Sequence, residues 1–227
     1  MLWVKICGMT SAEDALAAVD AGADAVGFIF APSRRQITAD AAKEIGQKLP
    51  KTLEKVGVFA NQSAQQIEEI AAEVGLTAVQ LHGDESSEFA RMLFRHGVGR
   101  SRAQMRVFKT LHVTNGIEGV AREFLNERCV DGFLLDSVVH DATTGETQRG
   151  GTGQVFDWQR ANQFLPGVQR ETRVIVAGGL SPANVAEAVR VLQPWGVDVC
   201  SGVESEPRKK DAKKIWEFVS AAREARN

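Results

Sequence analysis

The sequence predicts an α/β fold in one domain, a (β/α)8 barrel over residues 1–227. Three observations carry that expectation. Short, apolar, valine-rich stretches alternate with stretches of helical periodicity from end to end, and strands of that kind are buried on both faces, as in a parallel sheet covered by helices. Eight strand–helix units follow one another with no linker and no shift of composition, as a closed barrel of this type requires. No glycine-rich turn follows the first strand, whereas a doubly wound sheet opens with one and commonly stops at about six strands.

The first strand, Leu2 to Cys7, is broken by Gly8, and Thr10 or Ser11 caps a helix over Glu13–Ala21 that Gly22 closes. A second strand covers Asp24–Phe30; the polar loop Pro32-Ser33-Arg34-Arg35 leads to a helix from Thr38 to Leu49, stopped by Pro50. The third strand is Val56–Phe59, and Asn61-Gln62-Ser63 caps a helix to Val74, ended by Gly75. Ala78–Leu81 is the fourth strand, with His82-Gly83-Asp84 as its loop, and Ser86 or Ser87 starts a helix to His96. Gly97–Gln104 reads as an exposed connector, Arg106–Leu111 as the fifth strand and Asn115–Glu127 as a helix. The sixth strand, Gly132–Leu135, ends on Asp136; the polar stretch Ser137–Gly153 is long enough to act as a lid that orders on ligand binding. A helix over Phe156–Phe164 and a seventh strand over Arg173–Ala177 precede Gly178-Gly179. Ser181-Pro182 reads as a cap and first residue of a helix to Leu192, Gly196–Cys200 as the eighth strand, and Asp211–Ala225 as the last helix.

With 44% hydrophobic and 25% charged residues, the chain can bury one large core. A net charge of -2 gives no reason to expect nucleic acid or an anionic membrane as partner. The longest apolar run, Ala25–Ala31, is too short to span a bilayer, and no secretory signal pattern precedes the first strand. Three widely spaced cysteines are no disulfide framework and fit a reducing cytoplasm. The four histidines do not pair at metal-ligand spacing, so no metal is expected.

In such barrels the residues after the strands line the rim that carries the active site. Here they are Cys7, the Phe30–Arg35 loop, Asn61, His82, the neighbourhood of His112, Asp136, Gly178-Gly179 and Ser201-Gly202. A thiol, a carboxyl group and an imidazole on one rim suit acid–base chemistry. Glycines after the last two strands let backbone N–H groups approach an anion closely, which predicts a phosphorylated substrate held by Gly178, Gly179, Ser201 and Gly202. Cys129 and Cys200 read as small core residues, and His96, His112 and His140 as surface residues. Lys5 shares strand parity with Trp3 and Cys7 and so points inward, where a lysine needs a partner. Asp198, on the strand that closes against the first, is the predicted partner.

At these positions the chain resembles the phosphoribosylanthranilate isomerases of tryptophan biosynthesis. The resemblance lies in Val4-Lys5-Ile6-Cys7-Gly8-Met9-Thr10, Gly22–Phe30, Val56–Phe59, Val79-Gln80-Leu81-His82-Gly83, Leu134-Leu135-Asp136, Gly150-Gly151-Thr152-Gly153, Ala177–Leu180 and Val197–Glu204, in family order and over nearly the whole chain. It implies a cofactor-free Amadori rearrangement, an intramolecular oxidoreduction of the aldose–ketose type. N-(5′-phosphoribosyl)anthranilate becomes 1-(2-carboxyphenylamino)-1-deoxyribulose 5-phosphate. It further implies Asp136 as general acid, Cys7 as general base and Arg35 as partner of the anthranilate carboxylate. Arg34 precedes that arginine here, so either of the two can make the contact. His82 is a substrate contact or a brace for its own loop. A monomer or homodimer is expected, since relatives occur alone, as dimers or fused to the next enzyme of the pathway. Three rival readings are a bifunctional isomerase also serving histidine biosynthesis, a metal-dependent epimerase and a non-catalytic barrel. The first favours a pair of acidic residues, the second needs several His and Asp ligands, and the third has no use for Cys7 with Asp136.

Overall fold

A computed structural model of the chain describes residues 1–96, 105–113, 116–140, 147–149 and 157–226. In chain order the strands are β1 (Trp3–Cys7), β2 (Ala25–Ile29), β3 (Glu54–Phe59), β4 (Ala78–Leu81), β5 (Arg106–His112), β6 (Gly132–Asp136), β7 (Val138–His140), β8 (Thr147–Arg149), β9 (Arg173–Val176), β10 (Gly196–Val199), β11 (Glu204–Glu206) and β12 (Lys209–Lys210). Eight of them close a parallel barrel in the order β1-β10-β9-β6-β5-β4-β3-β2, while β7 with β8 and β11 with β12 form two antiparallel ribbons outside it. The helices are α1 (Ala12–Asp20), α2 (Ala39–Gly46), α3 (Ala64–Val74), α4 (Ser87–His96), α5 (Ile117–Glu127), α6 (Trp158–Gln169), α7 (Val185–Leu192) and α8 (Ala212–Glu224). Each follows one barrel strand, so the expected (β/α)8 architecture is the observed one. Among the described residues no helix is long and apolar enough to cross a membrane.

The core has two parts because inward and outward positions alternate along each strand. Val4, Ile6, Val26, Phe28, Phe133 and Val197 face outward and pack with the helices. Trp3, Ala25, Val56, Ala78, Phe108, Leu134, Ile175 and Ala177 form a separate cluster inside the barrel. Two residues further along β1, the lining turns polar: Lys5 pairs in register with Asp198, and their charged atoms lie 3.1 Å apart. The expected internal ion pair is thus present, in a layer between the apolar floor and the rim.

Local chemistry ends most helices as the sequence suggests. Ser11, rather than Thr10, caps α1 through the Asp14 N–H, and the Thr10 hydroxyl donates instead to the Arg208 carbonyl. Ser63 and Gln66 form a reciprocal capping box on α3, and Gly75 closes it in the left-handed conformation. Three expectations need correction. The helix assigned to Ser181-Pro182 starts at Val185: Asn184 accepts from the Ser181 N–H and donates to the Gly179 carbonyl, folding 181–184 into a turn of its own. The helix expected to end at Phe164 runs through Pro166 to Gln169. The stretch after Asp136, expected to be a long polar loop, contains the β7–β8 ribbon. The connector at 97–104, the glycine motif at 150–153 and the side chains of His96 and His140 lie outside what is described, as does most of the expected lid.

Candidate active site

β1 delivers Cys7 to the rim, buried, directly opposite Gly27 of β2. The missing side chain at Gly27 makes the room: a Cβ there would stand 2.6 Å from the Cys7 Sγ and 2.9 Å from the Lys5 Cε. Gly8 then turns the chain with φ 77, and a Cβ on it would meet Arg35 Cδ and Cys200 Sγ, each at 2.9 Å. These two glycines allow Cys7, Cys200 and Arg35 to crowd one corner of the mouth. Cys200 is therefore no plain core residue, contrary to the expectation; barrel closure sets its Sγ against Gly8, next to Cys7, where each thiol acts on the other's ionisation.

The charges around this corner are fixed by three partly or fully buried side chains. Arg35 turns inward while Arg34 is exposed. The Arg35 Nε and Nη2 donate to Glu204 Oε1 and Oε2 at 2.6 and 2.7 Å, a two-pronged pair. Lys210 donates to Glu204 Oε1 at 3.1 Å and to the Cys200 carbonyl at 2.9 Å, and its Nζ lies 3.8 Å from the Cys200 Sγ. Burial pushes the Glu204 carboxyl up, but Arg35 and Lys210 outweigh it and hold the group below its ordinary value. The contact with Cys7, with Lys210 and Arg35 behind it, draws Cys200 down to about 7 against the cost of burial. The same contact, and then burial, push Cys7 well up, while the Lys5 ammonium opposes them.

Three strand steps away around the barrel, β6 ends on Asp136, also buried. Burial pushes its carboxyl up to about 7; the Ser137 N–H, donating at 2.7 Å, opposes that rise. Gly178 belongs to this corner for a steric reason. Its φ is 71, and a Cβ would stand 2.6 Å from Asp136 Oδ1 and 2.5 Å from the Ser137 nitrogen. His82 faces Asp136, with Nε2 3.6 Å from Oδ2. Beneath them, Lys5 donates to Gln80 Oε1 at 2.7 Å, and Gln80, Thr110 and the His82 Nδ1 form a triangle of contacts of 3.0 to 3.2 Å. His112, expected at the surface, is half-buried at the rim with its ring edge-on to His82.

The two glycine loops meet. A Cβ on Gly202 would overlap the Leu180 carbonyl, so the 3₁₀ turn Ser201–Val203 lies directly on the Leu180-Ser181 backbone. Asn61, counted at the rim, instead braces a loop: its N–H donates to Glu85 and its side chain accepts from the Asp84 N–H. Among the described residues no group of three or more His, Cys, Asp and Glu side chains is placed to hold a metal ion. The structure places Arg35 near Cys7, sets His82 and Gly178 against Asp136, packs Gly202 on the Leu180 carbonyl, and adds Cys200, Glu204, Lys210, Gln80 and Thr110 to these corners. Gln80 and Thr110 share inward parity with His82 and His112 on their strands, a signal the sequence offered. Glu204 and Lys210 gave none, because they lie past the last barrel strand.

The family model for N-(5′-phosphoribosyl)anthranilate isomerase matches residues 4–221. An N-(5′-phosphoribosyl)anthranilate isomerase of Pelobacter propionicus is 42% identical, with 100% of this chain and 98% of that one covered. Among solved structures, phosphoribosyl anthranilate isomerase from Thermotoga maritima superposes with a TM-score of 0.82 at 40% identity, covering 99% of this chain and 100% of that one. A phosphoribosyl anthranilate isomerase in complex with reduced 1-(o-carboxyphenylamino)-1-deoxyribulose 5-phosphate gives 0.79 at 38% identity, over 99% and 100% of the two chains.

Proposed function

The chain belongs to the phosphoribosylanthranilate isomerase family, and from that premise we propose that it converts N-(5′-phosphoribosyl)anthranilate to 1-(2-carboxyphenylamino)-1-deoxyribulose 5-phosphate with Asp136 as acid and Cys7 as base. The observation that carries the assignment is a contrast at one rim. A carboxyl group raised to about 7 by burial faces the same mouth as a thiol beside an ammonium. A carboxyl with that value keeps a proton to donate near neutrality, where an ordinary carboxylate has none.

Asp136 gives its proton to the furanose ring oxygen as the C1′–O bond breaks, leaving a Schiff base to the anthranilate nitrogen. Cys7 must first give up its proton, against the rise that Cys200 and burial impose and with the Lys5 ammonium in its favour; as thiolate it then takes the C2′ proton, and the electron pair moves into the C1′–C2′ bond to give an enolamine. Loss of the enol proton and return of one to C1′ complete the ketone. Only protons move, so the step needs no cofactor. Arg35 presents its guanidinium to the anthranilate carboxylate, and Glu204 aims that guanidinium by holding its Nε–Nη2 edge. The two glycine loops touch where Gly202 packs on the Leu180 carbonyl, and their backbone N–H groups at Gly178-Gly179 and Ser201-Gly202 receive the 5′-phosphate.

The test is a coupled assay that generates the substrate in situ and follows the loss of its anthranilate fluorescence. Cys7→Ser and Asp136→Asn should each lower kcat by about 10²-fold or more, the range of a lost general acid or base, with folded far-UV spectra. Full activity in Asp136→Asn removes the acid assignment; a wild-type enzyme that leaves this substrate untouched removes the activity.

A further inference from the structure

The contacts among Lys5, Gln80, Thr110 and His82 beneath Asp136 favour one hydrogen-bond polarity. Lys5 has donors only, and although burial draws its value down, Asp198 and Cys7 hold it above the ordinary one, so it stays an ammonium. The Gln80 atom 2.7 Å from its Nζ is therefore the amide oxygen. That turns the amide nitrogen, with its two hydrogens, toward Thr110 Oγ1 and His82 Nδ1, each at 3.2 Å. A hydrogen on Nδ1 would meet this nitrogen donor to donor. Nδ1 is thus an acceptor, and Thr110, which receives from Gln80, points its single hydroxyl proton at Nδ1 across 3.0 Å. The ring hydrogen belongs on Nε2, the atom 3.6 Å from Asp136 Oδ2.

We propose that Gln80 and Thr110 hold His82 as its neutral Nε2–H tautomer, and that this N–H receives the carboxylate that Asp136 becomes when it donates its proton. The proposal rests on the reading of Asp136 as the acid. Two consequences follow from the chemistry of the ring. With Nδ1 occupied and Nε2 protonated, no imidazole lone pair faces Asp136, so His82 cannot take the acid's proton and the substrate is its outlet. At 3.6 Å the contact lies just outside hydrogen-bonding range. It shortens as negative charge appears on Oδ2, which places the stabilisation in the transition state rather than the ground state. His82, Gln80 and Thr110 are on this account positioning residues that act through Asp136. Among the described residues the other charged or titratable groups that act on Asp136 include Lys5 from β1 and Asp198 and Cys200 at β10, and His112 of β5 lies edge-on to His82.

¹⁵N NMR of the histidine rings in the ligand-free enzyme tests this directly. The chain has four histidines, and the His82 signals are those lost in His82→Asn. Near neutral pH the expected spectrum has a protonated Nε2 and an unprotonated Nδ1. Thr110→Val deletes the hydroxyl at nearly constant volume. It should mix in the other tautomer and lower kcat about fivefold, the worth of one ordinary hydrogen bond, with KM unchanged. Thr110→Ser should restore both. A protonated Nδ1 in the wild type, or a Thr110→Val enzyme with wild-type kcat, overturns the proposal. Failure of the isomerase reading would show separately, as a wild type inactive on phosphoribosylanthranilate, because the tautomer is read without substrate.

Discussion

On the β1–β10 side of the barrel mouth two thiols sit among three cations, Lys5, Arg35 and Lys210. On the β6 side Asp136 is buried with a peptide N–H on one oxygen and an imidazole at 3.6 Å from the other. The first environment favours an anion on Cys200 while it pushes Cys7 up, and the second favours a neutral acid. Neither setting comes from the titrating residue itself. The thiol corner is electropositive because Glu204 orders Arg35 and Lys210 without cancelling both. The carboxyl corner is apolar enough that burial dominates.

Lys5 belongs to both corners, since it lies beside Cys7 and donates to Gln80, and its removal is the largest blow the comparison predicts. Lys5→Met strands Asp198, only 7% exposed, as a buried charge without its ammonium. Unfolding in urea should show a loss of about 3–5 kcal/mol, the cost of breaking a buried ion pair on one side. Lys5→Met combined with Asp198→Asn should recover most of it. A single variant as stable as the wild type would mean that the pair carries no such charge.

Asp136 gives the next largest effect, through stability rather than rate. Its carboxyl ionises at about 7 in the folded protein against an ordinary 3.8. Below the lower value both folded and unfolded chains hold the proton. Between the two values only the folded chain does, so the stability contributed by this group is present below 3.8 and lost as pH rises through about 7. Asp136→Asn cannot ionise and should lack that slope. Relative to the wild type it should gain roughly 2–4 kcal/mol between acid and mildly alkaline conditions, read as the difference of the two urea curves. Parallel pH dependences would place the carboxyl in water and undo the contrast between the corners.

The sequence made one of these corners far more legible than the other. Cys7 and Asp136 each close an apolar strand, so alternation and a terminal polar residue were enough to find them. The barrel itself was equally plain, because eight buried strands separated by amphipathic helices have few other ways to close. Lys5 and Asp198 followed from strand parity plus closure of the first strand on the last. What escaped were relations across closure. Cys200 looked like a core thiol because nothing local says that β1 and β10 bring it against Gly8 and Cys7. Glu204 and Lys210 lie on a short ribbon whose partner for Arg35 is 169 residues away, beyond any periodicity. Ser181-Pro182 had the chemistry of a helix start, but Asn184 competes for the same backbone groups three residues on and wins by bonding in both directions.

Cys200 supplies the smallest and most selective test of the thiol corner. Near neutrality the pair favours an anion on Cys200, next to Lys210, and the contact that draws Cys200 down is what pushes Cys7 up. In Cys200→Ser that competitor is gone, while the Lys5 ammonium beside Cys7 remains. The Cys7 thiol should then ionise at lower pH than in the wild type. Alkylation by iodoacetamide as a function of pH, with the modified residue identified by peptide mass, measures it, since only the thiolate reacts. The activity limb that reports the base should move the same way. An unchanged Cys7 profile would show that the two thiols do not share a proton, and that Lys5 alone prepares the base.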